Sequence, residues 1–136
     1  MQLITFITAL LTIASQAYVI EPPNTAFYEL NEYRVEHELP EFKIDSRLCD
    51  GAQKRADYLN ENNLFNHDGF KKGHKDNLKN YRYTFIGENL ARYHSDESLI
   101  NAWRESKIHN DLMLNDRFKT GCIVRSGDVV VLWLTN

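Results

Sequence analysis

Hydrophobic positions recur along this chain with two different periods, and the change from one to the other lays out its elements. Residues 1–17 are mostly apolar, and no charged side chain occurs before Glu21. Pro22-Pro23 is a breaker, after which Asn24 or Thr25 is placed to cap a helix reaching about residue 38. Its apolar positions are Phe27, Leu30 and Tyr33, with Val35 as a further candidate, spaced near the helical period. Leu39-Pro40 ends it, because a residue before proline disfavours helical geometry. Asp45 or Ser46 caps a second helix, in which Leu48, Ala52, Ala56, Leu59 and Asn63 follow i, i+4, i+8, i+11 and i+15 along one face. Arg47, Lys54, Arg55, Asp57 and Glu61 are assigned to its other side.

Residues 66–83 are polar and glycine-bearing, which predicts a long loop with one helical turn. Tyr83-Thr84-Phe85-Ile86-Gly87 reads as a short strand leading into Glu88. Ser95-Asp96-Glu97 has the hydroxyl cap and early acids of a helix start, and Leu99, Ala102, Trp103 and Ser106 then share a face. A short helix or turn follows over 109–114. Gly121-Cys122-Ile123-Val124-Arg125, a Ser126-Gly127-Asp128 turn and Val129-Val130-Val131-Leu132-Trp133-Leu134 predict a hairpin. The last strand is almost wholly apolar, so it belongs at the centre of a sheet covered on both faces. Helices before and after a small sheet predict an α+β fold: a three-layer α-β-α sandwich around a small, mostly antiparallel central sheet.

The opening apolar run is too short to span a bilayer comfortably. Ser15 and Ala17 occupy −3 and −1 of a small-residue cleavage site, so residues 1–17 read as a secretory signal peptide and 18–136 as one domain. The alternative is an uncleaved N-terminal anchor. This places the mature chain outside the cell, without a stable membrane span. A net charge of −3 gives no electrostatic case for nucleic acid. The local basic cluster of Lys71, Lys72 and Lys75 is flanked by Asp68 and Asp76, as in a solvated loop. Cys49 and Cys122 are an even pair in an exported chain. Joined, they would close a loop worth about 4 kcal/mol on the chain-entropy account; the alternative is two separate buried thiols.

The candidate chemistry rests on His67, Glu88 and His109. Two neutral imidazoles and a carboxylate can hold Zn²⁺ or another divalent cation with an open fourth position. Without metal, the same three are candidate acid–base groups, since a nearby carboxylate favours the charged imidazole. His67, at a helix-to-loop junction, is placed to line a cleft, while the others also have plainer readings. Glu88 can cap a turn, His109 can pack beside Trp103, and Asn89 can bond backbone in a tight turn. Trp103 and Trp133 read as core, and His37, His74 and His94 as surface residues. Tyr81, Tyr83 and Tyr93 are candidates for a groove edge, which nothing in the sequence decides. There is no Gly-x-Ser-x-Gly and no His-Glu-x-x-His, so neither serine-hydrolase nor zincin chemistry is signalled.

Taken in order, Leu30-Asn31-Glu32-Tyr33-Arg34, the Leu48 to Ala56 helix, Asn66-His67, Gly87-Glu88-Asn89, Trp103-x-x-Ser106-x-x-His109 and Gly121 resemble the CAP superfamily. This superfamily, also called the SCP domain, includes cysteine-rich secretory proteins, antigen 5 and plant pathogenesis-related proteins. The resemblance covers about residues 25–134, and the Trp-x-x-Ser-x-x-His form is similar to bacterial-type and phage-type members. It implies a secreted α-β-α sandwich with a central cleft lined by two histidines and one or two acids, here His67, Glu88 and His109. The animal and plant pattern departs from this chain at its second acid, which would align near Ser106 with Glu105 one residue off the face. It departs again at its later Gly-His motif, which this chain lacks. The implied function is a binding module for a lipid, a peptide or a cell-wall-type glycan, or for a host surface component. The alternatives are a zinc- or His/Glu-dependent hydrolase of peptides or cell wall, and a structural extracellular domain.

Overall fold

In a computed structural model, residues 25–77, 82–93 and 99–136 are described. The signal-peptide reading, the Pro22-Pro23 breaker, Asn24, Tyr81, His94 and the Ser95-Asp96-Glu97 helix start lie outside those residues. The elements run α1 (Thr25–Glu36), α2 (Ser46–Glu61), α3 (Phe70–Asn77), β1 (Ile86–Arg92), α4 (Leu99–Glu105), α5 (Lys107–Met113), β2 (Thr120–Ser126) and β3 (Val129–Thr135).

The sheet is antiparallel with strand order β1-β3-β2, so the apolar β3 is central, as its composition requires. Strand periodicity sorts β3 into two faces. Val129, Val131 and Trp133 face Leu48, Ala52, Ala56 and Leu59 of α2 and Phe70 of α3. Val130, Leu132 and Leu134 face α1, α4 and α5 through Leu30, Trp103 and Met113. These are the three layers of the expected sandwich. A Cys49–Cys122 disulfide staples α2 to β2, with Cα atoms 5.3 Å apart. The β2–β3 hairpin turns on Gly127, whose φ of +58° suits glycine at the first central position of a two-residue loop.

Several details differ from the periodic reading. Helix α1 stops at Glu36 because Glu38 takes φ +59°, with its N–H on Val35 O and the Leu39 N–H on Arg34 O, a Schellman ending. Val35 is exposed, and Arg34 takes the core position instead. The Arg34 guanidinium lies over Phe42 at 3.7 Å and donates to the carbonyls of Pro40, Met113 and Asn115. Helix α2 ends the same way, at Asn63 with φ +50°, so Asn63 does not extend its apolar face. Asp45 is the cap, accepting from the Arg47 N–H. The segment after Asn66 holds a two-turn helix, α3, rather than one turn in a loop.

Candidate functional site

Strand β1 begins three residues later than the pattern of aromatic and β-branched residues predicts, and this shift decides the chemistry of Gly87-Glu88-Asn89. The N–H groups of Thr84 and Phe85 are taken by the Asn136 side-chain oxygen at 2.8 and 3.0 Å, so the ladder starts at Ile86. Glu88 is therefore inside a strand, not at its end. Gly87 and Asn89 point to the α5 face, Glu88 to the α2 face. A Cβ at Gly87 would stand 2.9 Å from Leu112 Cδ1 and 3.0 Å from Phe118 Cζ, so glycine is what lets α5 cross the strand this closely. Asn89 is buried, and its Nδ2 donates to His109 O at 3.1 Å, fixing the start of α5.

The Glu88 side chain is wholly buried on the opposite face. Oε2 accepts from Arg55 Nε at 3.1 Å and from Trp133 Nε1 at 2.9 Å, while Oε1 accepts from Arg55 Nη2 at 3.2 Å. Oε1 also lies 2.8 Å from His67 Nδ1. A buried carboxylate is tolerated only when paired and hydrogen-bonded, and here a two-pronged guanidinium and an indole meet that condition. Arg55 also donates to the carbonyls of Asp68 and Asn66 at 2.8 Å each, so the guanidinium that fixes Glu88 fixes the loop carrying His67 as well. Arg55 is 6% exposed and Glu88 0%, whereas the His67 side chain is 57% exposed. A rigid, dry cluster thus holds one ring at the surface. Since a carboxylate only accepts, Nδ1 carries the hydrogen and Nε2 of the neutral ring keeps its lone pair toward solvent.

His109 is the third residue of α5, half-buried, with its ring centroid 6.3 Å from that of Trp103. Trp103 is core, its Nε1 donating to Leu90 O at 3.2 Å. Ser106 is the N-cap residue of α5, so the Trp-x-x-Ser-x-x-His motif straddles the α4–α5 junction. Burial first, and then the charge of His67, push the His109 imidazole below its ordinary pKa. The two histidines come from opposite sides of the edge strand β1, near enough for the charge of His67 to act on His109.

The structure therefore brings His67 and Glu88 into contact and sets His109 nearby, but not as one ligand cage. Among the described residues, no three His, Cys, Asp or Glu side chains are grouped to hold a metal ion. Both oxygens of Glu88 are engaged, Oε2 by Arg55 and Trp133 and Oε1 by Arg55 and His67. Glu88 stands behind His67, as carboxylates stand behind metal-binding or proton-transferring imidazoles.

Sequence reasoning missed three members of this neighbourhood. Arg55 was assigned to the solvent side of α2, yet it falls at i+7 from Leu48 and i−4 from Leu59, inside the apolar stripe. Trp133 was assigned to core alone, yet it lies opposite Glu88 in the ladder. His74 was assigned to the surface, yet it is fully buried, one turn after Phe70 on α3. Its ring packs against Trp133, Tyr83 and Phe70, with centroids 4.8, 4.8 and 5.6 Å away. Neither of its ring nitrogens makes a hydrogen bond of good geometry. Burial lowers its pKa to about 4, against weaker opposing effects of Glu88 and the Leu134 backbone.

Comparison with known proteins gives a consistent picture. The family model of the cysteine-rich secretory protein family, CAP, matches residues 27–131. A cysteine-rich secretory protein from Staphylococcus aureus superimposes with a TM-score of 0.70 at 23% identity, over 81% of this chain and 36% of the other. An extracellular protein containing an SCP domain from Bacillus anthracis gives 0.74 at 24% identity, over 82% and 39%. An outer surface protein from Borrelia burgdorferi gives 0.69 at 23% identity, over 81% and 88%. The chain thus spans well under half the length of the first two. No curated protein matches it.

Proposed function

The chain belongs to the cysteine-rich secretory protein (CAP) family, and on that premise we propose that it is a secreted binding module. Its ligand, a lipid, a peptide or a cell-wall-type glycan, is taken at the edge of β1 through His67 and His109. The observation that carries this reading is the mismatch in exposure along one hydrogen-bonded chain. Arg55, Glu88 and Trp133 are buried and mutually satisfied, while the His67 ring they hold is open to solvent. Such an arrangement pre-organises one imidazole for contact with something outside the fold.

Secretion is supported by the reading of residues 1–17 as a signal peptide and by a disulfide suited to an oxidising compartment. No helix among the described residues is long and apolar enough to cross a membrane. Zn²⁺ or another divalent cation enters this reading as an optional occupant of the His67 and His109 imidazoles, with Glu88 orienting the former. Binding is favoured over hydrolysis because both cysteines are in the disulfide and the Glu88 carboxylate is committed to Arg55 and Trp133.

The test is a titration of Zn²⁺ into wild type, His67→Ala and His109→Ala, following the thermal midpoint. Ligand-linked stabilisation raises the wild type and leaves the two variants nearly unmoved. Equal shifts in all three would remove the histidines from the metal reading. Chelator-sensitive turnover of peptides or muropeptides would replace the binding module with a hydrolase.

A further inference from the structure

A concavity lies beside Arg55 and Trp133, and the His67 reading does not use it. It is a trough of ≈540 Å³ between α2 and α3, within the range of about 300–1,000 Å³ usual for small-molecule sites. Trp133 closes its base, and Gly51, Lys54 and Tyr58 line it from α2. Gly73, Lys72 and Asp76 line it from α3, with Asp68 at one end.

Gly73 has no structural reason to be glycine. It lies inside α3, it is not among the residues with positive φ, and a Cβ built on it meets nothing within 4 Å. Glycine in a helix interior costs about 1 kcal/mol relative to alanine. What glycine does here is leave the wall of the trough flat and bare. On the α2 wall of the same trough, Tyr58 is 52% exposed, an aromatic residue with no core role.

The chemistry of the rim narrows the occupant. Lys54 and Lys72 are matched by Asp68 and Asp76, and Lys72 pairs with Asp76 at 2.5 Å. The Arg55 guanidinium is spent on Glu88, Asn66 and Asp68. With no net charge to offer, the trough does not favour an anion or a cation. Its walls are two helices whose backbone groups are bonded within themselves, so it has no strand edge for a peptide to extend. It is open along one side, unlike the enclosed cavity a hydrocarbon chain fills. A pyranose chair bearing equatorial hydroxyl groups meets each condition: its C–H face stacks on Tyr58, its other face lies on the Gly73 backbone, and the hydroxyls reach carboxylates and ammonium groups. We propose that the trough between α2 and α3 is a saccharide subsite, seating one pyranose ring of a neutral glycan between Tyr58 and Gly73.

The probes are the tetramer of N-acetylglucosamine and cellotetraose, with palmitate as the hydrocarbon control, titrated by calorimetry into the full chain. At least one tetrasaccharide binds wild type. Tyr58→Ala and Gly73→Leu each weaken it by about tenfold or more, the scale of one lost ring contact or a filled seat. The Gly73→Leu thermal midpoint equals or exceeds that of wild type, so its lost binding is not a loss of fold. Tyr28→Ala, which removes an exposed tyrosine on α1 outside the trough, binds the tetrasaccharide as wild type does, so the effect belongs to this site. Binding of neither tetrasaccharide, or binding unchanged in both Tyr58→Ala and Gly73→Leu, overturns the proposal. So does an equal loss of binding in Tyr28→Ala, or palmitate binding in its place that Gly73→Leu abolishes.

Discussion

Trp133 lies directly opposite Glu88 across the β1–β3 ladder, and its indole Nε1 donates to Glu88 Oε2 at 2.9 Å. One residue of the central strand is thus at once a wall of the α2-side core and a clamp on the carboxylate that aims His67. The same ring carries His74 on its other contacts, so core packing and site geometry share one side chain.

Arg55 is the member of this cluster whose loss is predicted to cost most. Arg55→Met leaves Glu88 in a dry interior without its guanidinium, and removing one partner of a buried pair costs about 3–5 kcal/mol. Urea unfolding should show that loss in Arg55→Met and a smaller one in the double variant Arg55→Met with Glu88→Leu. A single variant as stable as wild type would mean that the pair is not desolvated as described.

His74 makes acid a specific stress. Its folded pKa is about 4 against an ordinary 6.5, so below 6.5 the unfolded chain takes up a proton that the folded chain refuses. Stability that is fully present above pH 6.5 is therefore lost as pH falls toward 4, by about 1.4 kcal/mol per unit and on the order of 3 kcal/mol in all. His74→Phe should remove most of this slope in thermal midpoints between pH 4 and 7. An unchanged slope would place the acid sensitivity in other groups.

Glu38 offers a gain. It holds a left-handed φ of +59° at the residue after the end of α1, where glycine is the ordinary choice. Glu38→Gly should raise stability by a few tenths to about 1 kcal/mol in chemical denaturation, with no effect on any ligand. A loss of stability would show that the Glu38 side chain contributes more than its backbone strain costs.

The sequence made the scaffold readable where burial imposes a period. The Leu48, Ala52, Ala56 and Leu59 stripe and the apolar β3 marked the two sides of one core, and the order of motifs identified the family. The identities of His67, Glu88 and His109 were readable too. Their relationship was not, because it depends on register: a strand beginning at Ile86 rather than Tyr83 places Glu88 opposite Trp133. Polar residues inside a strand look like loop until their partners are known. Arg34, Arg55 and His74 show the same limit, since a charged or polar side chain on an apolar stripe announces burial only if position is weighed above residue type. Val35 shows it from the other side, an apolar residue left exposed because Arg34 holds the inward position.

His67 presents a free Nε2 because Glu88 holds Nδ1. Long-range ¹H–¹⁵N correlation of the histidine rings above pH 8 reads this directly. The predicted spectrum has His67 as the Nδ1–H tautomer in wild type, with that preference lost in Glu88→Gln. A wild-type His67 protonated on Nε2 would contradict the account.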